Sequence, residues 1–294
     1  MEYLSLGYLF DMSERLYWGY MLSALVVAWL FFYKKPEVLK KQFSKEVLFH
    51  PSAKLDYIYF IITGVIKVAL VLPLLIGAGD VTLWVLLQMQ NYFGYTPRVI
   101  VEREWLMVGY TLTLFILSDL TRYWLHRIMH TIPILWRFHR VHHSAEVLNP
   151  ITFYRIHPLE NVLFGLRYAL LTGLVTGIFV YYFGASVRMV EFLGANVLVF
   201  IFSIIGSNLR HSHIPLSYGK GFENWFISPY QHQLHHSKKY CHHNYGSFLA
   251  VWDRLFGTLV RGKKSNVVFG LPKEEVSHSI MGALFNPFIK GVKL

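Results

Sequence analysis

The sequence predicts an all-α, multi-pass membrane protein with about four to five transmembrane helices and a cytoplasmic helical cap carrying a histidine-rich di-metal site. Three observations predict it. The 294-residue chain is 54% hydrophobic and 17% aromatic but only 15% charged, against about 25% charge in soluble domains. Its apolar runs are long enough to cross a bilayer and are separated by basic stretches. Its histidines, 15 in all, gather largely in short clusters that follow or lie between those runs.

Taken in order, Trp18–Tyr33 is apolar with aromatic flanks and stops at Lys34-Lys35-Pro36, as a first span should. Residues 34–56 carry a net charge of +3. Tyr57–Ala78 is a second span, interrupted by Lys67 and Pro73; Lys67 is expected to snorkel or to face protein. Residues 79–104 carry −1, and the brief apolar run Trp84–Met89 suits an interfacial helix. Trp105–Leu125 is a third span and runs directly into His126. Leu163–Phe183 and Val187–Ser207 form a hairpin of two further spans around Gly184-Ala185-Ser186, and the chain after Asn208 is amphipathic. Five spans place residues 34–56, 122–160 and 208–294 on one side, with net charges of +3, +3 and +7. The positive-inside rule makes that side cytoplasmic. Every clustered histidine falls on it.

Composition also excludes function classes. The net charge of +11 flanks apolar segments instead of forming a basic domain, so the expected partner is anionic lipid and not nucleic acid. The single cysteine, Cys241, rules out an internal disulfide framework and is read as a small thiol beside His242 and His243. The first fourteen residues are mildly acidic and lack the basic start of a signal peptide.

The chemistry lies in three clusters: His126-Arg-Ile-Met-His130, His139-Arg-Val-His142-His143 and His232-Gln-Leu-His235-His236. Residues three and four apart share a helix face, and imidazole suits iron, zinc and copper. A single tetrahedral zinc needs four ligands. Eight imidazoles therefore point to two metals, or to one metal with a large surrounding shell of histidines. One histidine is ordinarily a surface or satisfied core residue; three clusters at these spacings on one membrane face are a metal signature. Asp119, seven residues before His126, shares its face. It is expected either to orient a ligand histidine through the second ring nitrogen or to pair with Arg122 or Arg140. Trp252-Asp253-Arg254 is expected to pack near the site.

Between Ser118 and Thr258 the chain resembles the fatty acid hydroxylase / sterol desaturase superfamily of membrane-bound non-haem di-iron oxidases. The resemblance rests on D-L-T-R-Y-W-L-H-R-I-M-H, W-R-F-H-R-V-H-H-S, Y-R-I-H-P-L-E, L-R-H-S-H-I-P-L, S-P-Y-Q-H-Q-L-H-H-S and N-Y-G-S-F-L-A-V-W-D-R-L-F-G-T. It implies that His126, His130, His139, His142, His143, His232, His235 and His236 bind two iron ions. His211 sits where many members carry a further histidine and joins the metal set. His157, in the H-P-x-E element, is counted with that set as a ligand or as the partner of one. His213 is read as a non-ligand, His242 and His243 as neighbours of the site or surface, and His50 and His278 as surface. The implied organisation is an N-terminal transmembrane region at 1–110, a fatty acid hydroxylase-like catalytic domain at 111–262 and a cytoplasmic tail at 263–294.

The implied activity is O2-dependent hydroxylation of a C–H bond in a membrane lipid, fatty acyl or sterol-like, with desaturation on the same centre as the alternative. Nothing in the sequence resembles a haem module, a flavin site or a dinucleotide fingerprint, so electrons are expected from a separate reductase or carrier protein. A zinc hydrolase is the rival from another class, disfavoured because no H-E-x-x-H is present. A non-catalytic metal-binding or transport protein is disfavoured because the histidines fall at span ends and not at mid-membrane. The bacterial inner membrane and the endoplasmic reticulum both fit.

Overall fold

The computed structural model describes residues 5–72, 75–95, 99–192, 195–261, 267–272, 278–289 and 291. In chain order its helices are α1 (Trp18–Phe32), α2 (Pro36–Gln42), α3 (Lys45–Leu48), α4 (Pro51–Ile66), α5 (Ala78–Phe93), α6 (Arg103–Thr131), α7 (Pro133–His143), α8 (Pro158–Phe183), α9 (Val197–Ile204), α10 (Gly219–Phe222), α11 (Pro229–His235), α12 (Val251–Leu255) and α13 (Ile280–Phe285). Short 3-10 turns at Pro150–Tyr154 and Ser207–His211 join them. Regular β pairing among the described residues is limited to a two-residue hairpin, β1 (Glu191–Phe192) with β2 (Ala195–Asn196).

The scaffold is α6, 29 residues long and so about 43 Å from end to end. Its last two turns carry His126 and His130. Ile132 is extended, at φ −91° and ψ 115°, as a residue before proline must be, and Pro133 opens α7 at a position where its missing N–H costs nothing. This proline corner folds α7 back beside α6, so that the first two histidine clusters face each other.

Two buried devices fix the frame around that corner. Arg155 donates to Asp56, to Ser144 Oγ and to both oxygens of Ser52, tying the 150–155 turn to α4. Asn149 and Thr152 donate to the other oxygen of Asp56, so both carboxylate oxygens are held. Elsewhere α5 lies against α8 at backbone distance. A Cβ on Gly173 would fall 2.4 Å from Val81 and one on Gly177 2.7 Å from Val85, so only glycine permits this approach.

Several expectations are revised. α8 is long and apolar enough to cross a membrane; α1 is apolar but has only 15 residues. The expected span Val187–Ser207 is instead an extended stretch, the β hairpin and the eight-residue α9. The cause is local: the Asn196 side chain accepts from Leu198 N and Val199 N, which starts a helix there and forbids a continuous one. The parity argument from five spans therefore loses its last span. The second run also breaks: α4 passes into a π turn at Lys67–Val71, while Pro73 lies outside the described residues. Lys67 does face protein, donating to Tyr8 Oη at 2.9 Å and pairing with Glu14 at 3.7 Å.

Candidate metal centre

Three elements meet at the inner end of α6. α7 brings His139, His142 and His143; α11 and the residue after it bring His232, His235 and His236; the Ser207–His211 turn brings His211. The start of α11 is set by Ser228, whose hydroxyl accepts from Gln231 N while Gln231 Oε1 accepts from Ser228 N, a reciprocal cap one residue before the cluster begins.

The nine histidines sort into two groups, within each of which the nearest ring nitrogens all lie within 4.8 Å of one another: His126, His130, His139, His143 and His235; and His142, His211, His232 and His236. The two groups divide the H-x-x-H-H clusters between them. His142 and His143, adjacent in sequence, point to different groups, as do His235 and His236, because neighbouring helical positions are about 100° apart.

The ring orientations decide the protonation. His126 Nδ1 donates to Tyr245 O at 2.8 Å and His235 Nδ1 to His243 O at 2.7 Å. A carbonyl only accepts, so both Nδ1 atoms carry the proton. His139 Nδ1 donates to Glu160 Oε1 at 2.9 Å. In the neutral rings all three Nε2 atoms are then bare lone pairs. Yet His126 Nε2 lies 3.1 Å from His139 Nε2 and 3.0 Å from His235 Nε2. Three acceptors facing each other at these distances repel unless a cation lies between them, so this is a geometry that could hold a metal ion. In the second group His211 Nε2 lies 3.1 Å from His236 Nε2 and 3.2 Å from His232 Nε2. Further ring nitrogens are buried without a hydrogen-bond partner, including both of His143 and Nε2 of His130.

Burial, followed by the neighbouring imidazoles, holds His126, His130, His143, His232 and His236 well below the ordinary histidine range and His235 down to about 3. For His211 the neighbours that lower it most after burial are Arg15 and Arg210. Neutral imidazoles are the form that ligates metal, so the donor set fits two imidazole-bound ions.

Two predicted site residues lie elsewhere. His157 is not in either group: its Nδ1 accepts from Leu159 N, capping α8, and its Nε2 donates to Leu284 O at 3.0 Å. With both nitrogens held by backbone, it acts as an N-cap and an anchor for α13. Asp119 does not reach His126. Nor is it in an ion pair with Arg122. Its carboxylate accepts from Phe248 N, Leu249 N and Trp252 Nε1, each at 3.0 Å, because the 244–252 loop covers that face of α6. Asp253 holds the same loop from the other side through Tyr245 N and Gly246 N. This is the loop whose carbonyls at His243 and Tyr245 fix His235 and His126. His213 accepts from Leu148 N and stands apart from the groups, as expected. His242 Nδ1 approaches His130 Nδ1 at 3.4 Å, at the edge of the first group. His50 caps α4, and His278 is half-buried against Glu146 at 2.8 Å. Sequence reading missed Glu160 as the acceptor for His139; the signal was its place in the H-P-L-E element.

A cavity of about 230 Å³ opens onto His126, His139 and His142 of one wall and His211 and His232 of another, lined also by Phe153 and Phe164. A second, of about 780 Å³, runs along α6 and α8 past Met107, Tyr110, Leu114, Phe115 and Thr172. Arg122 lines both.

A family model described as fatty acid hydroxylase matches residues 111–258. Among curated proteins, alkylglycerol monooxygenase of Danio rerio is 30% identical over 159 residues, 53% of this chain and 32% of the relative. Ornithine lipid hydroxylase OlsE of Rhizobium tropici is 29% identical over 157 residues, 53% of this chain and 43% of the relative. Lathosterol oxidase of Mus musculus is 27% identical over 227 residues, 76% of this chain and 64% of the relative. The chain thus spans less than two thirds of each of these relatives. No solved structure matches it.

Proposed function

From the premise that the chain belongs to the fatty acid hydroxylase family, we propose that it is a membrane-bound oxidoreductase that hydroxylates a C–H bond of a lipid with O2 at a di-iron centre. The observation that carries this is the pair of imidazole groups with their bare nitrogens turned inward. His126, His130, His139, His143 and His235 would hold one ion, and His142, His211, His232 and His236 the other. When bound, the irons supply the O2-derived oxidising power that no amino-acid side chain has. One oxygen atom of O2 enters the lipid C–H bond and the other leaves as water; two electrons and two protons come from a separate reductase or carrier protein.

The rest is done by the chain's own residues. Glu160, Tyr245 O and His243 O hold three ligand rings in one tautomer and one orientation. Trp136, with its ring 4.8 Å from that of His130 and 5.5 Å from that of His143, covers the first group. The cavity along α6 and α8 is lined by Met107, Tyr110, Leu114, Phe115 and Val199 but also by Arg103, Arg188 and Glu191, and it has the size expected for a small-molecule site, about 300–1,000 Å3, so it has room for a hydrocarbon chain entering beside the bilayer-length α8. The histidine face is assigned to the cytoplasm on the charge bias of residues 34–56, 122–160 and 208–294. Desaturation on the same centre is the second reading, favoured by the sterol oxidase among the relatives.

Lipid mass spectrometry of cells expressing the wild type, His130→Ala or His235→Ala under 18O2 tests the proposal. The expected result is a lipid heavier by one labelled oxygen, present only with the wild type. A product lighter by two hydrogens and unlabelled establishes the desaturase. A wild-type-dependent product that forms without O2, or one that survives in both variants, refutes the oxidase.

A further inference from the structure

The cavity beside the histidines holds more positive charge than its surroundings neutralise. Arg15, Lys67, Arg122, Arg167 and Arg210 line it, against the carboxylates of Glu14 and Glu160, with Asp119 near enough to act on Arg122, Arg167 and Arg210. All three carboxylates are already engaged: Glu14 by Lys67 and by the Tyr154 hydroxyl at 3.1 Å, Glu160 by His139, and Asp119 by Phe248 N, Leu249 N and Trp252 Nε1. Arg167 is held by Ser118 and Thr121. That leaves Arg15, Arg122 and Arg210, none of them in an ion pair among the described residues.

The contrast with Arg155 is internal to the molecule. Arg155 is buried and every one of its three nitrogens has an acceptor. Arg210 is 2% exposed, yet among the described residues its acceptor is Ile227 O alone, at 3.4 Å, its Nε has none, and its face lies on the Phe248 ring. Arg15 reaches one hydroxyl, Ser207 Oγ at 3.2 Å, and stacks on Phe153. Arg122 lies on the Phe164 ring and makes no hydrogen bond among the described residues. Burial and the charges of Arg210 and Arg122 push Arg15 well below the guanidinium range. Planar guanidinium groups match carboxylate and phosphate oxygens with paired donors.

Arg122 also lines the 780 Å³ cavity, whose wall carries Met107, Tyr110, Leu114 and Phe115 as well as Arg103, Arg188 and Glu191, and which follows α6 from Met107, about 22 Å away along the helix axis. We infer that Arg15, Arg122 and Arg210 form a subsite for the anionic group, carboxylate or phosphate, of a lipid whose chain lies along α6 and α8. This rests on the hydroxylase reading for its lipid and adds the head group. Arg122 stands one helical turn before His126 and Arg210 directly precedes His211, so the oxidised carbon lies near the anionic end of the lipid.

The test is binding to the full-length, iron-loaded protein in uncharged detergent at pH 8. The probes are hexadecanoate, hexadecyl phosphate, hexadecanol and inorganic phosphate. At least one chain-bearing anion is expected to bind about tenfold or more tighter than hexadecanol, the scale of one charge-assisted hydrogen bond. Whichever anion binds tighter identifies the head group. The Arg122→Gln/Arg210→Gln double variant should lose the preference; Arg122→Lys should keep part of it, and Lys220→Gln, on the exposed surface, all of it. Iron content confirms that each variant is folded. Hexadecanol binding as tightly as the anions overturns the subsite, as does a preference unchanged in the double variant. Inorganic phosphate binding as tightly as the chain anions makes it a free-anion site and overturns the lipid assignment. Labelled product in cells without any anion preference removes this subsite while leaving the hydroxylase intact; anion preference without O2-dependent product does the reverse.

Discussion

Replacing Glu160 tests whether the metal centre depends on a residue that binds no metal. Glu160 and His139 are 2% and 3% exposed, and the bond between Oε1 and Nδ1 is 2.9 Å. In Glu160→Ala the Nδ1–H has no acceptor, and the proton is free to move to Nε2. There it points at His126 Nε2, 3.1 Å away, and blocks the atom that faces the ion. Losing such an outer hydrogen bond costs about 10- to 100-fold in metal affinity, or about 1.4–2.8 kcal/mol, which agrees with the 1.5–3 kcal/mol of a hydrogen bond to a charged group. Glu160→Gln keeps an oxygen acceptor and removes the charge; neutral bonds are about half as strong, so its loss is about three- to tenfold. The assay is an anaerobic ferrous titration against a chelator of known affinity. If both variants bind iron within about twofold of the wild type, the tautomer argument fails and the inward-facing lone pairs do not define the site.

Two further substitutions probe the loop that supplies the ligand-orienting carbonyls. Asp119→Ala removes the acceptor for Phe248 N, Leu249 N and Trp252 Nε1. Leaving them unpaired should cost about 3–5 kcal/mol in total and lower Tm by about 10 °C; a shift of a degree or two would show that the loop is held otherwise. Asp253 carries a pH signature. Burial raises its carboxyl to about 6 in the folded protein despite bonds from Thr258, Gly246 N and Tyr245 N. A folded pKa above the unfolded value of about 3.9 makes its stabilising contribution complete below pH 4 and lost as pH rises through 6, a change of about 3 kcal/mol. The Tm difference between wild type and Asp253→Asn should therefore move against the wild type from pH 4.5 to pH 7. A difference that is flat with pH would mean Asp253 is ionised throughout.

Much of the candidate metal site was legible in the sequence. Spacing of three and four residues put histidines on common helix faces, and eight of them pointed to two metals or to one metal ringed by further histidines; that is local geometry, fixed by the 3.6-residue repeat. The family motifs added His211, and the matched stretch 111–258 covers all nine grouped histidines. What only the tertiary structure decided was how they divide. Which histidines of α6, α11 and the 207–211 turn meet His142 and which meet His143 is set by the packing of those elements, which no spacing within α7 encodes. Asp119 and His157 were misplaced for the same reason. Their helix positions were right, but backbone from the 248–252 turn and from Leu284, more than a hundred residues distant, occupies their polar atoms. The span count failed at Val187–Ser207 because hydropathy averages over a window and does not see that Asn196 caps a helix in its middle. The unpaired arginines are invisible in sequence, since whether a guanidinium has a partner depends on which carboxylates the fold brings within hydrogen-bond reach and not on the net charge.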